Sequence, residues 1–201
     1  MLTPPTRRQL LGRALATGGL GAGLLSVSAQ AAPARTDAEL VATLLGTELL
    51  ATFVYGHLVH SSILSGDRQR LARHLLAHER AHAHALAVAL HRLGGTPPAP
   101  LTSVSDADKL LAASTITGSL SQLRSADDAI RLLIHLEVAL QRGYYVAVSG
   151  LQDTELQHTA AQILATEAQH STTLIEALFP GDPVKAVPES FVEGNPGDGR
   201  V

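Results

Sequence analysis

Apolar residues return every three or four positions along four long stretches of this chain, and an acid interrupts the stripe in each. The first stripe reads Val41, Leu44, Leu45, Glu48, Ala51, Thr52, Tyr55, Val59, and the second Ala72, Leu75, Leu76, Glu79, His82, Ala83, Leu86, Leu90. The third reads Ile130, Leu133, Ile134, Glu137, Leu140, Gln141, Tyr144, Val148, and the fourth Ala160, Ile163, Leu164, Glu167, His170, Ser171, Leu174, Leu178. That spacing is the signature of a helix with one face turned to a core. It predicts an all-α protein with four long helices.

The punctuation fits. Thr36-Asp37-Ala38-Glu39 is a capping box that opens the first helix. Ser65-Gly66-Asp67 turns the chain into the second, which Gly94-Gly95 ends near Leu93 and Pro97-Pro98 keeps from continuing. A long connection from Thr96 to about Arg124 holds one or two short helices, one starting after Ser105. Ser125-Ala126-Asp127-Asp128 opens the third long helix, with acids at the positive end of its dipole, and Gly150 closes it. The fourth runs from near Asp153 to near Phe179-Pro180. Short turns make the first two and the last two helices antiparallel hairpins. The long connection lets helices 2 and 3 run parallel, so the expected fold is a four-helix bundle with one long crossover between them.

The acids carry the chemistry. Glu79-Arg80-Ala81-His82 lies 31 residues after Glu48, and Glu167-Ala168-Gln169-His170 lies 30 residues after Glu137. Positions i and i+3 share a helix face, so each Glu-x-x-His pair can reach one point. A single such motif is weak; two, in phase with apolar stripes and each with a partner glutamate, are not. Four bare carboxylates in a core would prevent folding. Two divalent cations would neutralise them and leave the imidazoles neutral, which couples folding to metal. The expected ligands are Glu48, Glu79, His82, Glu137, Glu167 and His170. The chain has no cysteine. Oxygen and imidazole donors without sulfur suit iron or manganese, although intrinsic affinity favours copper or zinc.

Tyr55 and Tyr144 repeat as well, each two turns beyond its lone glutamate. They read either as bonding metal-bound carboxylates on a neighbouring helix or as core aromatics whose hydroxyls find some other partner, and their symmetry favours the first. Tyr145 reads as a packing residue. His74 and His78 form an i, i+4 pair that could bind a surface metal or guide iron inward, though such a pair is more often a solvated helix face. His57, His60, His84, His91, His135 and His158 carry no spacing argument.

Residues 1–31 read as an export signal rather than fold. Thr6-Arg7-Arg8-Gln9-Leu10-Leu11 has the twin-arginine pattern. An apolar run from Ala14 to Ser28 follows, shorter than the roughly 20 residues that cross a bilayer. Ala29-Gln30-Ala31 is a cleavage site of the A-x-A type. The protein is thus expected in the periplasm, cell envelope or exterior, with residues 32–180 as one domain and 181–201 as a Pro/Gly-rich tail, extended or disordered. No further apolar run reads as long enough to span a membrane. Removing Arg7, Arg8 and Arg13 from the 15 basic residues leaves 12 against 18 acidic ones, a net charge of −6. That argues against nucleic acid as a partner.

The motif order Glu, Glu-x-x-His, Glu, Glu-x-x-His resembles the bacterioferritin and rubrerythrin pattern of the ferritin-like superfamily, over about residues 36–180. The resemblance implies that Glu79 and Glu167 bridge both metals, that Glu48 and Glu137 are terminal ligands, and that His82 and His170 cap one metal each. Tyr55 matches a tyrosine of that pattern. The only methionine is Met1, so the haem-ligating methionine of bacterioferritins is missing and no haem is expected, and rubrerythrin's Cys-x-x-Cys iron centre is absent. Exported ferritin-like proteins, including the desiccation-related type, are a closer match than cytoplasmic ferritins. Twin-arginine export carries folded proteins, so metal could be loaded in the cytoplasm. The implied activity is that of a diiron protein of ferroxidase type, with dioxygen or peroxide as oxidant. The alternatives are a dimanganese catalase-like enzyme and a non-enzymatic metal-binding protein of envelope stress or desiccation. The pattern is compatible with a homo-oligomer.

Overall fold

The computed structural model describes residues 35–187, so the twin-arginine signal and most of the tail lie outside the described residues. Four long helices dominate: α1 (Asp37–His60), α2 (Gly66–Arg92), α4 (Ala126–Gly150) and α5 (Thr154–Leu178). A short α3 (Val104–Ala113) and a 3-10 turn (Leu120–Gln122) lie in the connection, and a single turn, α6 (Pro183–Ala186), follows α5.

Helix ends are set by the residues that read as punctuation. Glu39 N–H donates to Thr36 Oγ1 at 3.3 Å and Thr36 N–H to Glu39 Oε2 at 2.7 Å, completing the capping box of α1. At the end of α2, Gly94 takes φ +72°, a region open to glycine. Gly94 N–H then donates to His91 O and Gly95 N–H to Leu90 O, which satisfies two terminal carbonyls. Ser125 and Asp153 cap α4 and α5. The short helix begins earlier than expected: Ser103, not Ser105, accepts from Asp106 N–H and so sets the start at Val104. Part of the expected tail is ordered too. Asp182 caps α6, Ala186 is buried, and Lys185 Nζ sits 3.9 Å from the Phe179 ring centre.

Register fixes the topology. Tyr55 on α1 bonds Glu137 on α4, while Tyr144 on α4 bonds Glu48 on α1. The paired numbers rise on one helix as they fall on the other, so α1 and α4 are antiparallel. Each also forms a hairpin with its sequence neighbour. Hence α2 and α4 run parallel and the segment between them is the single long crossover. Arg68 shows the same arrangement at one end of the bundle. Its Nη1 donates to Asp127 Oδ1 at the start of α4, and its Nε and Nη2 donate to Ala177 O near the end of α5, at 3.3 and 3.1 Å. Arg68→Ala is expected to destabilise the bundle by about 1 kcal/mol, seen as a lower denaturation midpoint with unchanged helix content.

The core is aliphatic, filled by Leu45, Leu50, Leu58, Ile130, Leu133 and Ile134 among others. One expectation about it needs correction. Alone among the described residues, α1 is long and apolar enough to cross a membrane, with mean hydropathy 1.4. The reason lies in packing: α1 touches both α2 and α4, and half of that stretch is buried. A helix covered on several sides is apolar nearly all round. Tyr145 was expected to pack but points outward, 52% exposed.

Candidate metal centre

The four stripe acids meet in one layer of the bundle. Glu48 (α1), Glu79 (α2), Glu137 (α4) and Glu167 (α5) are all fully buried, and His170 is nearly so. His82 keeps 12% of its side chain exposed. Ligand atoms of Glu48, Glu79, His82 and Glu167 lie within 4.8 Å of one another, as do those of Glu79, Glu137, Glu167 and His170. The two groups share Glu79 and Glu167. Each lone glutamate and each histidine belongs to one group only.

Both imidazoles turn Nδ1 inward. His82 Nδ1 is 2.8 Å from Glu167 Oε1, and His170 Nδ1 is 3.0 Å from Glu79 Oε1, 3.0 Å from Glu167 Oε2 and 3.4 Å from Glu137 Oε2. These approaches are close, yet they are not aligned as hydrogen bonds. Ten buried side-chain polar atoms among the described residues lack a hydrogen-bond partner, and eight of them belong to these six residues. Orphaned buried oxygens are costly, and a cluster of them is what cations would satisfy. The donor set therefore fits two small divalent ions, with Glu79 and Glu167 available to both.

Residues 36–180, well over half of the chain, match the ferritin-like domain family. The chain belongs to that family. A solved structure of a conserved hypothetical protein from Mycobacterium tuberculosis shares the ferritin-like bundle, with TM-score 0.60 at 20% identity over 72% of this chain and 91% of that one. Among curated proteins, no sequence matches this chain.

Within this ferritin-like domain the second layer is cross-braced. Tyr144 donates to Glu48 Oε1 and Tyr55 to Glu137 Oε1, which leaves Glu48 Oε2 and Glu137 Oε2 free of hydrogen bonds. Each tyrosine thus holds one oxygen of Glu48 or Glu137 and leaves the other facing the cluster without a hydrogen bond. Burial raises both phenols well above their usual range, and the nearby carboxylates add to it, so both remain donors. Phenylalanine at either position is expected to weaken metal binding about tenfold, measured by competition against a chelator.

The electrostatics describe a protein without cations. Burial, reinforced by Glu79, pushes Glu48 and Glu137 well above the usual carboxylate range. Burial also raises Glu79, against the pull of His170. Glu167 goes the other way: burial opposes its charge, but His170 and His82 outweigh it and hold it down to about 2. Burial likewise disfavours a charged His170, yet Glu137, Glu167 and Glu79 push it up to about 12. A protonated imidazole then stands in for the missing positive charge.

Two neighbours lie outside the six expected ligands. Gln141, one turn beyond Glu137, donates to Ser171 Oγ at 2.5 Å and to Glu167 O at 3.3 Å, tying α4 to the backbone of α5 at Glu167. His78, read as more often solvated, is half-buried, with Nδ1 3.0 Å from His170 Nε2. Its burial comes from α5, which its own helix spacing does not reveal. His74 is exposed and its ring meets that of His78 edge-on.

Proposed function

We propose that this is an exported ferritin-like protein whose six side chains hold a dinuclear centre, iron in its working form, used for ferroxidase-type reduction of dioxygen or peroxide. The observation that supports it best is the overlap of the two ligand groups at Glu79 and Glu167. Shared carboxylates keep two ions close together, as a two-electron reaction requires. Each ion would have one imidazole, one unshared glutamate and the two shared ones, all hard or borderline donors that suit iron. Bound iron supplies the electrons that an oxidant takes up.

The chain's own groups do the rest. Tyr55 and Tyr144 fix the unshared carboxylates. Of the six side chains His82 keeps the most exposure, 12%, which supports approach of a small oxidant from that side. The arginine pair and the A-x-A site support export before use, with folding and loading completed in the cytoplasm.

Elemental analysis of protein recovered from its own host tests the metal: two irons per chain are expected. Aerobic addition of Fe(II) should consume oxygen and give a transient near-visible absorption, and Glu79→Ala should do neither. Manganese with rapid peroxide disproportionation would instead place it with dimanganese catalases. Normal folding with metal bound and no turnover would make it a binding protein.

A further inference from the structure

We propose that His74 and His78 form an outer, mononuclear site for a divalent transition metal ion on α2, a way-station at the approach to the dinuclear centre. The pair itself does not depend on the dinuclear reading; its role as a way-station does.

The two residues are one helical turn apart on one face. Their ring centres are 4.4 Å apart, with an interplanar angle of 64°. Two imidazoles bound to one cation through bonds of about 2.1 Å would have ring centres on the order of 4–5 Å apart. The rings thus already stand at the spacing that a shared ion needs. Two protein nitrogens leave the other positions to water, which makes an open site suited to exchange rather than a closed structural one.

Solvent access falls stepwise along the path. His74 is exposed, His78 half-buried and His170 buried. His78 faces both ways. Its Nδ1 lies 3.0 Å from His170 Nε2, its ring stacks on His170 with centres 5.2 Å apart, and its Nε2 is left for an outer ion. His170 in turn directs its Nδ1 at Glu79, Glu137 and Glu167.

The test uses Co(II), with equilibrium dialysis, elemental analysis and the visible absorption of the bound ion. Glu167→Gln removes a shared inner ligand and leaves His74 and His78 in place. That variant is expected to bind one Co(II) per chain, and adding His74→Ala should weaken the binding at least about tenfold. His74 is exposed, so its replacement leaves the core intact. In the otherwise unchanged chain, His74→Ala should still take up the inner pair, about tenfold more slowly. Equal Co(II) affinity in Glu167→Gln with and without His74 would overturn the outer site. If the unchanged chain takes up no inner pair, the dinuclear reading fails, while the Glu167→Gln comparison still reports on the outer histidines alone.

Discussion

Glu79→Gln and Glu167→Gln are each expected to lose both metal ions, whereas Glu48→Gln and Glu137→Gln are each expected to lose one. The difference follows from membership. Glu79 and Glu167 belong to both ligand groups, Glu48 and Glu137 to one apiece. A neutral amide keeps the shape of the side chain but has one oxygen and no charge, so it cannot serve two cations. Elemental analysis after exhaustive dialysis reads the result, and oxygen uptake with Fe(II) should vanish for the shared pair.

Stability separates lost metal from lost fold. In the metal-free protein, burial holds Glu48, Glu79 and Glu137 above the ordinary carboxylate range, so ionising each costs more than it does in water. Glutamine at those positions removes that penalty, and the metal-free variants should unfold at no lower denaturant than the parent. A variant that unfolds more easily and also loses metal would say nothing about ligation. If Glu48→Gln emptied the whole centre while Glu79→Gln kept one ion, the shared and unshared roles assigned here would be reversed.

The convergence of six side chains was legible because helices are rigid rulers. Once Glu79 and His82 share a face, and that face is the apolar one, their meeting point lies inside the bundle whatever the loops do. The tyrosines were half legible. Their spacing from Glu48 and Glu137 placed them on the inner face, but the partner of each depends on the antiparallel register of α1 and α4, which opposes 55 to 137 and 144 to 48. No local pattern encodes that register. An i, i+4 histidine pair leaves His78 open to a metal-binding or a solvated reading, and its neighbours Arg73, His74, Ala77 and Arg80 are exposed. What covers it is a histidine 92 residues away. The membrane-length character of α1 was missed for the opposite reason. Its apolar residues were counted toward one stripe, while contact with both α2 and α4 makes the helix apolar on a wider arc.

Stripping the metal should lower stability by an amount that grows with pH. For the metal-free protein the signs are these. Glu48, Glu79 and Glu137 have folded values raised above 4.5, so their contribution is complete below pH 4.5 and is lost as pH rises through the raised values. His170, raised from 6.5 to about 12, contributes fully below 6.5 and loses that contribution progressively as pH rises from there toward about 12. Glu167, lowered from 4.5 to about 2, acts oppositely: its contribution is present above 4.5 and lost as pH falls toward 2. The three raised carboxylates and His170 therefore set the trend across neutral pH, and the metal-free protein should be most stable in mild acid. The loaded protein has the reverse dependence, because cations compete with protons for bare carboxylates and neutral imidazoles. Free metal at a hundredfold excess over Kd is worth about 3 kcal/mol. In a domain of this size that raises Tm on the order of 10 °C. Thermal melts of chelator-treated and reloaded protein, taken from about pH 5 to about pH 8, should diverge steadily. Parallel curves would mean that the buried acids find their compensation elsewhere, and a gap that narrowed toward pH 8 would mean that the cluster prefers protons to cations.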